Sequence, residues 1–139
     1  MKKILNAFLF FTVMSCSPDD ATPTTPVDNT PVNKMTATLL KQGVLMGVNH
    51  TASGTASIYE DNGNKIVFFD PFMSENGPDL KVYLSKDQKA SEYIRLGQLK
   101  STNGSQSYQV PAGTEISHYP FVYIWCEKYS VEFARAELK

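Results

Sequence analysis

Two cysteines, two histidines and five methionines are the side chains of this 139-residue chain best able to bind a metal or carry redox equivalents. Cys126 is the residue to explain. It closes the run Phe121-Val122-Tyr123-Ile124-Trp125-Cys126, and the only other cysteine, Cys16, lies at the far end of the chain. A single thiol in the body of the protein cannot form an intramolecular disulfide, so it either packs as a small hydrophobe or serves as a redox group or ligand. A blue-copper ligand set would draw Cys, His and Met from one short loop, but after Cys126 the chain has neither His nor Met. His50 and His118 are therefore read as polar loop residues, and no metal site is assigned. The absence of CxxCH excludes covalent haem and leaves noncovalent, thiolate-ligated haem open to Cys126, and no cofactor is assigned. GxSxG, SxxK, GxGxxG, a Walker loop and HExxH are also absent, so no catalytic residue is assigned.

Cys16 has its own context. Lys2 and Lys3 precede the short apolar stretch Ile4 to Met14, too short to span a bilayer, and Val13-Met14-Ser15-Cys16 resembles a bacterial lipobox. Residues 1–15 are thus expected to be a lipoprotein signal peptide, with Cys16 the lipidated first residue of the mature chain. Loss of Lys2 and Lys3 leaves 11 basic against 14 acidic residues, so acyl chains rather than charge would hold the protein to a membrane. Residues 16–35 contain four of the eight prolines, no glycine and no aromatic residue, the composition of an extended linker able to reach about 60 Å. Asp19 and Asp20 are either solvated tether charges or resemble the acidic surface-export tags of some Gram-negative lipoproteins. The expected location is the cell envelope, at the outer membrane of a Gram-negative bacterium.

All eight glycines fall between Gly43 and Gly113, and every aromatic residue beyond the signal between Tyr59 and Phe133. The folded unit is therefore residues 36–139. Within it, β-rich runs at Thr51-Tyr59, Lys65-Phe69, Leu80-Ser85, Tyr93-Lys100, Gln106-Val110, Phe121-Glu127 and Val131-Leu138 alternate with turn chemistry that includes three Asn-Gly dipeptides. The pattern predicts an all-β antiparallel sandwich of about seven or eight strands, with a short helical turn at Asp87-Glu92. The run ending in Cys126 is apolar on both faces, as befits a covered central strand, with Cys126 on the face of Val122 and Ile124 and Trp125 on that of Tyr123 and Phe121. The last strand changes phase, which predicts a β-bulge between Phe133 and Ala136. A formal net charge of −1 without basic runs argues against nucleic acid as a partner.

Gly77-Pro78-Asp79-Leu80 with Val82-Tyr83-Leu84-Ser85, Leu96-Gly97-Gln98-Leu99-Lys100, Tyr108-Gln109-Val110-Pro111, Val122 to Cys126 and Ser130 to Leu138 together resemble the electron-transfer "DM thirteen" domain family. Thr51-Ala52-Ser53-Gly54-Thr55-Ala56 fits the family's early strand. Ala134 and Tyr129 depart mildly from the family pattern, where glycine and phenylalanine are frequent. The resemblance implies a β-sandwich whose characteristic cysteine is Cys126, working as a bare thiol or as a ligand to a group such as haem. It also implies a redox protein as partner in trans, because no haem-binding or cytochrome domain accompanies this chain. The competing expectation is a noncatalytic binding module in which Cys126 is structural and loops at Phe72-Gly77 or Ala112-Pro120 make the contacts.

Overall fold

A computed structural model describes residues 21–26 and 32–139. The expected signal peptide, the expected lipidation site Cys16 and part of the expected linker lie outside the described residues. Eight strands follow one another: β1 (Thr38–Gly47), β2 (Ala52–Asp61), β3 (Asn64–Ser74), β4 (Leu80–Ser85), β5 (Tyr93–Gln98), β6 (Gln106–Gln109), β7 (Phe121–Cys126) and β8 (Val131–Glu137). All pairings are antiparallel, in the order β5-β4-β7-β8-β1-β2-β3-β6. The all-β antiparallel fold is as expected, built from one sheet that curls until β5 and β6 approach. That seam is stitched where the Lys100 amide donates to the Tyr108 hydroxyl (2.9 Å).

Local chemistry accounts for the connections. Asn62 and Gly63 take φ of 50° and 79°, the two positive values that a two-residue hairpin turn demands between β2 and β3. Pro71 sits inside β3 where the register against β2 shifts, a bulge position at which its missing amide costs no ladder bond. β8 does carry a bulge, but at the near edge of the expected span rather than within 133–136: Ile124 pairs with Ala134 while Trp125 pairs with Glu132, leaving Phe133 as the extra residue. The helical turn expected at Asp87-Glu92 does not form. There the Asp87 carboxylate accepts the Lys89 and Ser91 amides (2.7 and 3.2 Å), and Ala90 adopts φ of 50°, satisfying locally the donors a helix would have used. A short 3₁₀ turn occurs instead at Ile116–His118.

The main core lies inside the curled sheet, with Val122, Ile124 and Cys126 of β7 facing Leu80, Val82 and Leu84 of β4, Leu45 of β1 and Phe69 of β3. Outside β4 and β7 a second cluster of Tyr83, Ala90, Phe121 and Tyr123, with Trp125 against it, is roofed by the 86–92 loop. The expectation that β7 is covered on both faces, with Cys126 and Trp125 on opposite ones, thus holds.

Part of the segment expected as a linker lies against this domain. Ala21 pairs with Pro78, the Thr102 amide donates to the Pro23 carbonyl (2.9 Å) and Ser101 Oγ donates to the Thr25 carbonyl (2.6 Å). Val32 is buried with Ile66 and Phe68.

Carboxylates held by hydrogen-bond donors set the acid limit of this fold. Donation from Lys34, then from Ser105, holds Asp70 below its ordinary value, and the Thr51 amide, then His50, does the same for Glu75. A carboxyl whose folded value is depressed stabilises the fold above its unfolded value and loses that contribution as the pH falls through the folded one. Glu132 acts in the opposite sense, because burial raises it. With more depressed carboxyls than raised ones, the urea midpoint should fall as the pH drops through and below about 4. A midpoint constant down to about pH 3 would show that these pairs contribute nothing.

Candidate functional site

Alternation of strand direction brings the ends of β1, β3, β5 and β7 and the starts of β2, β4, β6 and β8 to one end of the barrel. Cys126 is there. As the last residue of β7 it pairs with Leu80 and Val131, is fully buried, and its Sγ donates to the Pro78 carbonyl at 2.9 Å. The loop carrying Pro78 can lie this close because residue 77 is glycine: a Cβ there would stand 2.5 Å from Phe133 Cζ. Phe133 is stacked in turn by His50, with centroids 3.7 Å apart and planes within 5°, and His50 Nδ1 meets Glu75 Oε1 at 2.6 Å. Over the same loop runs the N-terminal strap, where Thr22, 2% exposed, donates through Oγ1 to the Gly77 carbonyl (3.3 Å). The thiol therefore lies beneath the 76–79 loop, and that loop lies beneath residues 21–25. Beside the strap, a buried polar plug links Gln106, Ser101 and Tyr108: Gln106 Nε2 donates to the Ser101 carbonyl (2.9 Å) and the Tyr108 hydroxyl to Gln106 Oε1 (2.5 Å).

A second group of redox-capable side chains lies on the outer face of the sheet, on β7, which carries Cys126, and on its neighbours β4 and β5. The β4–β5 hairpin places Tyr83 and Tyr93 on one face, and their rings stack with centroids 4.1 Å apart and planes within 6°. Trp125 extends the row, its ring 6.3 Å from Tyr83 at 21°. The Tyr83 hydroxyl donates to Glu127 Oε1 (2.7 Å), and Arg95 fixes the same carboxylate through Nε to Oε1 (2.8 Å) and Nη2 to Oε2 (3.2 Å). Burial, and then the Glu127 carboxylate, push the Tyr83 phenol well above the ordinary tyrosine range. Nearby, Arg135 lies over the Tyr123 ring, and Glu132 Oε1 stands 3.3 Å from Arg135 Nη1 without the alignment of a hydrogen bond.

Of the residues singled out in the sequence, Cys126 alone occupies this barrel end with a sulfur. His50 lies at the same end, stacked on Phe133, while His118 is exposed beyond the opposite end, between β6 and β7. The two histidines do not share a site, and among the described residues no three His, Cys, Asp or Glu side chains converge. The loops considered for partner binding are likewise split, residues 72–77 at the Cys126 end and 112–120 at the other. The Tyr83, Tyr93, Arg95 and Glu127 cluster was not drawn from the sequence. Tyr83 and Tyr93 could have been paired by folding the hairpin about its turn, but Glu127 comes from beyond the end of β7 and nothing in the spacing marks it.

Fold and site together define a small antiparallel β-barrel module with a single occluded thiol at one end and an aromatic row on its outer wall. The chain belongs to the electron transfer DM13 family, whose family model matches residues 45–138. No curated protein and no solved structure matches the chain.

Proposed function

We propose that this electron-transfer domain works at the cell envelope, anchored by lipid on Cys16, and exchanges redox equivalents with a separate redox protein through Cys126 as a bare thiol. The observation that carries the reading is the placement of the one domain cysteine within the family segment, at the end of a strand, with its thiol bonded to the covering Pro78 loop. The chemistry would be thiol–disulfide exchange: the Cys126 thiolate attacks one sulfur of a partner disulfide, a mixed disulfide forms, and the partner's other sulfur leaves as thiolate. The residues around Cys126 do not fit haem. Its sulfur is fully buried in the main core and donates to Pro78, whereas an axial ligand needs an open face beside the sulfur.

Two measurements test this. An absorption spectrum of the lipoprotein extracted from its host, before and after dithionite, should show no Soret band that depends on Cys126; one that vanishes in Cys126→Ser would overturn the bare-thiol reading. Acid-quenched extracts should contain a mixed disulfide at Cys126 that is missing in Cys126→Ser. The full burial of the sulfur favours a second reading, a noncatalytic binding module with Cys126 as core; it predicts no such conjugate, a folded domain that resists thiol alkylation, and loss of partner capture on substitution in loops 72–77 or 112–120.

A further inference from the structure

The outer aromatic row offers a redox group that needs no access to the thiol. Tyrosine and tryptophan are, with cysteine, the side chains most readily oxidised by one electron, and tunnelling between rings falls off steeply with distance. Three such rings stand in line here. Tyr93 is 49% exposed at the end of the barrel remote from Cys126, Tyr83 is 3% exposed at mid-wall, and Trp125 is the chain neighbour of Cys126. The separations of 4.1 and 6.3 Å, both in stacked orientation, leave no intervening gap for another group. What distinguishes the middle ring from an ordinary packed tyrosine is its proton partner. A phenol that loses an electron becomes strongly acidic, and oxidation stalls in a buried site unless a base is already within hydrogen-bond reach. Glu127 Oε1 is at 2.7 Å, its carboxylate held in place by the two Arg95 contacts.

We propose that Tyr83 is a redox-active tyrosine that relays single electrons along the Tyr93–Tyr83–Trp125 row, with Glu127 taking and returning its phenolic proton. In the outward step a one-electron metal oxidant docked at Tyr93 is reduced by one unit. The electron comes from Tyr83 through the Tyr93 ring, the Tyr83 O–H bond breaks, and the proton moves to Glu127 Oε1, leaving a neutral phenoxyl radical beside a carboxylic acid. In the return step a one-electron reductant supplies an electron to the radical, through Trp125, and the proton goes back from Glu127. The net change is one electron moved from reductant to oxidant, with the phenol restored. The inference rests on the electron-transfer character of the family and not on Cys126.

The test uses the full chain carrying Cys16→Ser, with photogenerated ruthenium(III) tris-bipyridine as the oxidant and paramagnetic resonance as the readout. A tyrosyl signal should form, and Tyr83→Phe should reduce it roughly tenfold, while Tyr129→Phe, at another exposed tyrosine, leaves it intact. Glu127→Gln keeps the hydrogen-bonding shape and removes the base. It should slow radical formation roughly tenfold or more and abolish its solvent deuterium effect, a change that packing alone would not produce. Cys126→Ser should leave the radical unaltered, so failure of the thiol reading and failure of the relay are separate outcomes. A signal of undiminished yield in Tyr83→Phe, or of unchanged rate in Glu127→Gln, would overturn the proposal.

Discussion

In the native Cys16→Ser chain, where Cys126 is the sole thiol, alkylation is expected to run at least about a hundredfold slower than in the urea-unfolded chain, because it must wait for an opening event. Removing residues 1–26 is expected to restore about tenfold or more of that rate. Layering at the barrel end imposes that wait. Cys126 donates to Pro78, the Gly77-Pro78 loop is pinned from above by the Ala21 pairing and the Thr22 hydroxyl, and the strap is fastened again at Thr102 and Ser101. None of the strap residues belongs to the sheet's eight strands, so their loss should loosen the cover while the barrel stays folded. Iodoacetamide labelling followed by mass spectrometry, with the urea midpoint of both chains measured in parallel, checks this. Equal labelling rates at equal stability would assign the protection to the 76–79 loop and the core alone.

Phe69→Ala is expected to lower the unfolding free energy by about 3–5 kcal/mol. Phe69 is fully buried in β3, stacks on Phe72 at 5.1 Å and tilts against Tyr108 at 5.6 Å. It thereby ties β3 to β6 from the core side, while the backbone pairing of Phe69 with Gln106 ties them along the ladder. Aromatic removal costs the transfer free energy of the ring and leaves a cavity that the surrounding strands close only in part. Against a total of about 5–15 kcal/mol for an ordinary domain, the loss is a large fraction of stability. Urea titration at constant slope measures it. A loss below about 1 kcal/mol would mean that the site is not part of the cooperative core.

Most strands were legible because their apolar runs are bounded by unambiguous turn residues. Asn62-Gly63 marks one hairpin and the two-faced apolar run of β7 marks the central strand. The strand missing from the sequence reading is β1. Its residues, Thr38–Gly47, carry two glycines and leave Leu39, Val44 and Met46 exposed, so neither alternation nor a clean apolar run announces it. Gly43 is needed there because the Glu137 carbonyl would stand 2.0 Å from a Cβ, a demand of the partner strand that no local pattern encodes. Likewise β3 continues past Phe69, where Asp70-Pro71 reads as a breaker, because a bulge accommodates the proline. At the site, the sequence singled out Cys126 by its solitude. Its cover and the Glu127 partner of Tyr83 arise from loops whose meeting depends on strand order, and strand order follows from tertiary packing rather than from nearest neighbours in the chain.

The docked strap also sets a length. Four residues, hence five chain steps, separate Cys16 from Ala21, and a chain extends by at most about 3.6 Å per step, so if Cys16 bears lipid as proposed, Ala21, paired with Pro78, lies within about 18 Å of the anchor instead of at the end of a long stalk. The Cys126 end of the barrel would then be the end held near the anchor, and Tyr93, at the start of β5, would stand at the far end: a short tether turns the two ends of one small barrel into a near side and a far side.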